Sequence, residues 1–328
     1  MRVFLTGGTG LLGSHLAGEL LRHDHEVVAL HRPGADTRFL EECRCLLVEG
    51  DVRDDAETLA RAMAGCSHVV HAAALVYAGD AWPKVRAVNV DGTRNVLTAA
   101  KLAGVDHSVH VSSVAVYGAG NGSVDETAPT DSDLPPGDLY ARSKREAESV
   151  ARGIEAKRGL PVTIIRPAAV YGERDRLMVP ALARIVRLPL VPLFGPADNT
   201  LPVVYAGNVA VAIRLALEAA RGDTTFDVAL DSPLTQRELL TTLAAGMDIF
   251  PRFMTIPAGL VGGCAALLTR MGVGAPGAKH LPLDRVARLA LGENPYPSKT
   301  IRAALGWDPP HSHRDALART ARWVMQER

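Results

Sequence analysis

Short runs of β-branched and aliphatic residues alternate with longer amphipathic stretches through the first half of the chain. That is the pattern of a parallel sheet covered by helices. The apolar runs predict strands over 3–6, 26–30, 44–48, 68–71, 107–112 and 162–166, and helical spacing of apolar positions predicts helices over 11–22, 56–64, 82–102 and 139–157. Repeated strand–helix units of this kind predict a doubly wound α/β domain. After Arg166 the pattern loosens, with Pro180, Pro189, Pro192, Pro196 and Pro202 punctuating it, a helical stretch over 209–220, and a mostly helical remainder over 236–328. We therefore expect a larger α/β domain over 1–166, with 200–228 returning to it, and a smaller, mostly helical C-terminal domain made of 167–199 and 229–328. A long polar loop, 118–138, is rich in Gly, Ser, Thr, Asp and Pro, and loops of that length in a compact domain usually serve a function.

Composition narrows the classes. The 328 residues carry 36 basic and 36 acidic side chains, so no net charge draws the chain to nucleic acid. At 47% apolar and 22% charged the sequence is that of a globular protein. Cys43, Cys45, Cys66 and Cys264 form no C-x-x-C pair, which predicts reduced thiols. His23 and His25, His68 and His71, and His311 and His313 are read as ordinary turn or core histidines, so no metal is assigned. Residues 1–7 enter a strand without a charged and then long apolar leader, which predicts a cytoplasmic protein. The apolar stretch 256–268 is too short to span a bilayer and is broken by Pro257, Gly259, Gly262 and Gly263. It suits the lining of a pocket and allows weak association with a membrane surface.

Chemistry enters at Thr6-Gly7-Gly8-Thr9-Gly10-Leu11-Leu12-Gly13, directly after the first strand and opening the first helix. Glycines at 7, 10 and 13 permit a tight turn, a close backbone approach to a pyrophosphate, and tight helix–strand packing; the helix N-terminus supplies N–H groups and a positive dipole end. Gly7, Gly10, Leu11, Leu12 and Gly13 are accordingly assigned to a dinucleotide. The second strand ends Ala29-Leu30-His31-Arg32, without the acid that an NAD site normally uses for the ribose hydroxyls. Arg32, beside His31, is suited to an adenosine 2′-phosphate, so NADP is expected in preference to NAD. Asp51 and Val52 follow the third strand, where they suit the adenine amine and ring. Ala72, Ala73 and Ala74 end the fourth with small side chains that leave room for the cofactor.

Tyr140 and Lys144 stand four apart on a predicted helix and so share a face. A phenol with a reference pKa of about 10 is a poor proton carrier at neutral pH, and a nearby cation favours its phenolate. Tyr140 becomes a usable general acid/base. Ser113 ends the fifth strand, at the carboxyl edge where ligands bind open α/β sheets. These residues predict that Ser113 polarises a carbonyl, Tyr140 delivers the proton, and Lys144 holds the tyrosine and the nicotinamide ribose, with the loop 118–138 as a lid.

With these motifs in order, the chain resembles the extended short-chain dehydrogenase/reductases of the epimerase/dehydratase superfamily over nearly its whole length. The resemblance rests on T-G-x-x-G-x-x-G, Asp51, the H-A-A-A run from His71, Asn89 in Asn89-Val90-Asp91-Gly92-Thr93, S-S-x-x-V-Y-G, Y-x-x-x-K and Arg166-Pro167. It implies a Rossmann domain, a small-molecule substrate, Asn89, Pro167 and Val170 near the cofactor, and a homodimer formed through the helices at 82–102 and 139–157. Dehydratases of this type carry an acidic pair where this chain has Val114 and Ala115, which argues against dehydration. Ala169 replaces the asparagine with which sugar-nucleotide epimerases contact the diphosphate, although Arg174, Arg176, Arg184 or Arg187 could meet phosphates. Arg166-Pro167-Ala168, Tyr205-Ala206-Gly207-Asn208-Val209-Ala210 and the stretch from Ser298-Lys299 to Leu305-Gly306-Trp307 are similar to 3β-hydroxysteroid dehydrogenases, dihydroflavonol-type reductases and β-keto acid reductases. The resulting expectation is a ketone/secondary alcohol oxidoreductase for an apolar small molecule. A nucleotide-sugar epimerase or 4-keto-sugar reductase with tightly held NAD, and a non-catalytic cofactor sensor, remain the alternatives.

Overall fold

The first strand, β1 (Arg2–Thr6), buries Val3, Phe4, Leu5 and Thr6 completely, because it is an interior strand of a sheet covered by helices on both faces. The computed structural model describes residues 1–76, 81–118, 124–134, 137–229, 231–260 and 291–326. Helix α1 (Leu11–Arg22) buries Gly13, Leu16, Ala17 and Leu20, a spacing that puts one stripe on the sheet. Next come β2 (Glu26–His31), α2 (Arg38–Glu42), β3 (Leu46–Glu49), α3 (Ala56–Ala62) and β4 (His68–His71). Helix α4 (Trp82–Arg86) runs through a π-helical segment, Ala87–Asp91, into α5 (Gly92–Leu102), and β5 (His107–Val111) follows. A 3₁₀ turn, Val114–Tyr117, precedes α6 (Leu139–Arg158) and β6 (Val162–Pro167).

The later chain adds β7 (Ala169–Tyr171), α7 (Met178–Ile185), β8 (Val191–Phe194), β9 (Val203–Tyr205), α8 (Ala206–Ala219), β10 (Thr224–Val228), α9 (Gln236–Ala245) and β11 (Phe253–Ile256). Near the C-terminus lie α10 (Lys299–Leu305) and α11 (His313–Gln326). Seven parallel strands form one sheet in the order β10-β6-β5-β4-β1-β2-β3, while β11 pairs with β8 and β7 with β9 in two small parallel sheets. The strand order reverses between β1 and β4, the switch point where open α/β sheets bind ligands. One apolar core packs α1 and α8 against the sheet, another lies beneath α3, α5 and α6 on the opposite face, and a separate one joins β8, β9, α7, α9 and α11.

Several element boundaries differ from the sequence reading for local reasons. The third strand begins at Leu46, because Arg44 has φ +63°, a left-handed conformation that ends α2 and cannot lie in a strand. The helical pattern over 82–102 is interrupted by the π segment at Asn89. The edge strand β10 and the short strands β7, β8, β9 and β11 were not expected; three- to five-residue strands give too brief a period to read. Of the apolar stretch 256–268, residues 261–268 lie outside the described residues, as do 119–123 and 135–136 of the loop.

Candidate active site

The glycine turn is packed so closely that side chains are excluded. Gly7 has φ +76°, and a Cβ there would stand 2.7 Å from the backbone nitrogen of Ala73; a Cβ on Gly13 would collide with the Gly7 carbonyl oxygen. Gly10 caps α1 without a side-chain hydrogen bond, so the N–H groups at the start of the helix are not occupied by a capping side chain. This is a cradle that fits a pyrophosphate, with Leu11 and Leu12 in its first turn.

At the far end of the sheet, Arg32 and Asp51 line a cavity of about 390 Å³ together with Pro33, Gly34, Ala35 and Arg53. Arg53 went unnoticed in the sequence. Its guanidinium meets both carboxylate oxygens of Asp51 at 3.0 and 2.8 Å, and this pairing holds the Asp51 pKa below the usual carboxylate value. The cavity therefore presents two arginines and one carboxylate already engaged by one of them. His31 lies beside it, a ring nitrogen 3.2 Å from the Arg32 carbonyl oxygen. Val52 is buried against Gly92, where a Cβ would approach it to 2.9 Å.

A chain of buried hydrogen bonds ties this nucleotide end to the helix carrying the tyrosine. Thr6 Oγ1 accepts the Ala73 N–H (3.2 Å) and contacts His71 Nδ1 (2.8 Å); Thr93 Oγ1 donates to the Asn89 carbonyl (2.7 Å) and contacts His71 Nε2 (3.0 Å). Each hydroxyl has one role spent, so His71 carries its proton on Nε2 and accepts at Nδ1. Burial and the nearby Lys144 cation push its pKa down to about 3, which keeps it neutral. Asn89 continues the chain. It accepts from the Leu75 N–H (2.7 Å) and donates to the Leu75 carbonyl (3.1 Å) and to Ser143 Oγ (2.9 Å), which donates to the Tyr140 carbonyl (2.8 Å).

Tyr140 and Lys144 lie in the first two turns of α6, whose start is capped by Asp138 accepting the Ala141 N–H. The Lys144 ammonium stands 5.9 Å from the centre of the Tyr140 ring and donates to the Val111 carbonyl at 2.7 Å, at the end of β5. Burial lowers its pKa to about 8, against the opposing charge of Glu148. Ser113 follows two residues after Val111. Its Oγ accepts the Ala115 N–H (3.2 Å), which leaves the hydroxyl proton to donate to a substrate oxygen. Ser112 N–H donates to the Ile165 carbonyl at 2.7 Å, which places Pro167 of β6 at the same edge of the sheet. Val170 pairs with Val204 in the small β7–β9 sheet.

Beneath the serine and lysine runs a second network that the sequence did not reveal. Glu148 takes the Arg166 guanidinium at 2.8 and 2.7 Å and accepts from Ser112 Oγ at 2.5 Å, while Arg166 donates to Tyr117 Oη (2.7 Å), which donates to Asp227. These partners lie 18 to 110 residues apart, so no local spacing announces them. Burial, with help from Glu126 and Glu148, pushes the Asp227 carboxyl up to about 7 despite the Tyr117 hydrogen bond. Arg145 of α6 secures the loop after Tyr117, donating to the carbonyls of Val116 (2.6 Å) and Ser132 (2.7 Å). Glu126 of the same loop accepts the Asp227 N–H and the Thr300 hydroxyl.

This arrangement can orient a dinucleotide and place a hydroxyl, a phenol and an ammonium at one sheet edge. Residues 3–229 match the NAD dependent epimerase/dehydratase family. The chain is 30% identical over 261 residues, 78% of its length and 76% of the relative's, to the 4-hydroxy-2-methyl-3-oxo-4-farnesyl-3,4-dihydroquinoline-1-oxide ketoreductase of Stigmatella aurantiaca. It is 31% identical over 277 residues, covering 82% of this chain and 80% of the relative, to the N-acetyl-alpha-D-glucosaminyl-diphospho-ditrans,octacis-undecaprenol 4-epimerase of Escherichia coli O157:H7. Among solved structures, the dTDP-glucose 4,6-dehydratase DesIV of Streptomyces venezuelae, with NAD and TYD bound, superposes with a TM-score of 0.77 at 28% identity, covering 100% of this chain and 98% of that one. The chain thus belongs to the NAD dependent epimerase/dehydratase family and is an enzyme of the extended short-chain dehydrogenase/reductase type.

Proposed function

We propose that this enzyme interconverts a ketone and a secondary alcohol on an apolar small molecule that carries a hydrocarbon chain, with NADP as the preferred cofactor. The observation that carries this reading is the complete Ser113, Tyr140 and Lys144 set with only apolar side chains at Val114, Ala115 and Ala169. Those positions offer neither the acid–base pair for removing water nor an amide for a nucleotide diphosphate. Two relatives support the hydrocarbon: one is a ketoreductase for a farnesyl-bearing quinoline oxide, the other an epimerase for a sugar on diphospho-undecaprenol. Arg32 and Arg53 at the adenosine cavity support a 2′-phosphate.

The reduced nicotinamide, when bound, supplies a hydride to the carbonyl carbon. Ser113 Oγ donates a hydrogen bond to the carbonyl oxygen, Tyr140 Oη passes its proton to that oxygen as the C–O π pair becomes an alcohol, and the Lys144 ammonium stabilises the phenolate left behind. The glycine turn, Asp51, Val52, Ala72, Ala73, Ala74, Asn89, Pro167 and Val170 orient the cofactor in this reading. We assign 1–166 with 200–228 to cofactor binding, 167–199 and 229–328 to substrate binding, and a homodimer to the helices over 82–102 and 139–157.

Nicotinamide absorbance tests the proposal, read after mixing the protein with NADPH or NADH and a panel of alkyl β-keto acids, ketosteroids and nucleotide sugars. Net NADPH consumption with an apolar ketone is expected, abolished in Tyr140→Phe while NADPH still binds. A nucleotide sugar converted to its isomer without net consumption would replace this reading with an epimerase.

A further inference from the structure

We infer that Arg53, held in place by Asp51, is a second residue that discriminates NADP from NAD, forming with Arg32 a two-armed clamp for the 2′-phosphate. This deepens the cofactor reading proposed above and rests on it. The cavity of about 390 Å³ lies at the ends of two neighbouring strands. β2 and β3 run parallel with His31 opposite Glu49, so Arg32 leaves one strand beside the chain that leads from the other to Asp51. Arg32-Pro33-Gly34-Ala35 turns back at once: proline fixes φ at the second position, Gly34 takes φ +71° at the third, and the Ala35 N–H donates to the Arg32 carbonyl at 3.1 Å. These four residues make one wall, and Asp51 and Arg53 complete the lining.

The second wall is preorganised. Asp51 Oδ1 accepts the backbone N–H and the Nε–H of Arg53 (2.9 and 3.0 Å), and Oδ2 accepts from Nη2 (2.8 Å). Of the five N–H groups on a guanidinium two are thus spent and three remain, while a carboxylate with about four acceptor sites keeps about one for the adenine amine. The pair can therefore serve both ends of the adenosine without breaking. Its arginine is the open member, with a side chain 59% exposed against 16% for Asp51, so an incoming anion meets guanidinium before carboxylate.

Charge decides which cofactor gains. A phosphate monoester carries roughly −1.5 to −2 at neutral pH, more than one guanidinium compensates, whereas a ribose hydroxyl carries none. The neighbouring acids Asp36, Glu49 and Asp54 do not line the cavity. Asp54 accepts the Asp51 N–H at 2.8 Å, and Asp36 takes the Arg38 guanidinium at 2.9 and 2.8 Å. Two guanidiniums then face one carboxylate, and that carboxylate is already fixed on Arg53. Holding the arginine in place spares part of the side-chain entropy that a free one would lose on closing over a phosphate.

Dissociation constants for NADPH and NADH, read by nicotinamide fluorescence on the full chain without substrate, test this apart from turnover. The two cofactors differ only at the 2′ position, so general damage to the site cancels in their ratio. Arg53→Ala is expected to weaken NADPH about tenfold, the loss of a charge-assisted hydrogen bond, and to leave NADH within about twofold. Arg32→Ala should lower the same ratio, and the double variant should abolish the preference for NADPH. Equal weakening of both cofactors by Arg53→Ala overturns the inference, because the arginine would then touch the adenine. No change in either constant overturns it as well and leaves an ordinary solvated ion pair. A native enzyme that binds NADH more tightly would remove the NADP reading and this inference together. Loss of the preference in Arg32→Ala, with the preference intact in Arg53→Ala, would remove the inference alone.

Discussion

At the scale of single residues, Lys144 sets the pH behaviour of the proposed chemistry. Its ammonium is buried against the Val111 carbonyl, and burial brings its pKa to about 8 while Glu148 pulls the other way. In the free enzyme the cation beside Tyr140 is therefore lost as pH rises through about 8, and with it the stabilisation of the phenolate. We expect kcat/KM for ketone reduction to fall on the alkaline side with a limb near that value. Glu148→Gln removes the charge that raises Lys144, so its limb should move to lower pH; Arg166 keeps a hydrogen-bonding partner in the amide oxygen. Rate profiles of the two proteins with a matched substrate check this, and coincident alkaline limbs would refute the coupling. The neutral His71 and His110 rings, stacked 5.5 Å apart near the same cation, do not titrate in that range, because burial and Lys144 hold both well below their ordinary value.

Among the elements, the turn into α1 and the first turns of α6 were legible because their chemistry is local. Three glycines within a seven-residue span, or a tyrosine and lysine four apart, carry their meaning in spacing. The seven-stranded sheet was legible in six of its strands because buried parallel strands read as apolar runs; β10, Thr224–Val228, escaped because its half-buried end carries threonines, and Asp227 interrupts it, so no such run forms. The π segment Ala87–Asp91 could not be read, since its extra residue serves tertiary hydrogen bonding and leaves the helical pattern on either side intact. That segment presents Asn89 to both backbone groups of Leu75 and to Ser143, joining the loop after β4 to α6. Asn89→Ala should leave the half-buried Leu75 N–H and carbonyl without their side-chain partner and lower stability by about 1–3 kcal/mol, as two unmade part-buried hydrogen bonds would. Urea denaturation measures that loss. If Asn89 also positions α6, kcat should fall in the variant at temperatures where it remains folded, whereas a purely structural role would leave kcat intact.

At the scale of the whole molecule, a buried ion pair adds to the apolar packing that joins the C-terminal helix to the rest. His313 at the start of α11 stands 3.0 Å from the Asp231 carboxylate and 2.8 Å from the Ser232 carbonyl, and its other nitrogen meets Tyr171 Oη at 2.7 Å. Asp231 also accepts from the Tyr205 N–H and from Asn208 Nδ2, so β9, α8 and α11 converge on it. Burial alone would lower the His313 pKa, but the Asp231 hydrogen bond and charge raise it overall. For Asp231 burial alone would raise the pKa, and His313, Asn208 and the Tyr205 N–H bring it below its ordinary value. The signs follow from linkage. A raised histidine gives stability that is complete below its unfolded pKa of about 6.5 and is lost as pH climbs through the folded value. A lowered aspartate gives stability present above about 3.9 and lost as pH falls through its folded value. Asp227 acts in the same alkaline direction as His313, because a carboxyl raised to about 7 makes the folded state progressively less favoured as pH rises from the unfolded pKa to that value. The melting temperature should therefore decline as pH rises through neutrality from about 6, before the lowered Lys144 pKa begins to favour the folded state above about 8. His313→Gln keeps a hydrogen-bond donor near Asp231 but cannot titrate, so its melting temperature should be lower at pH 6 and its decline shallower, leaving mainly the lower-pH contribution of Asp227. Parallel curves for the two proteins, measured by calorimetry across that range, would show that the His313–Asp231 pair does not link pH to the attachment of the C-terminal helix.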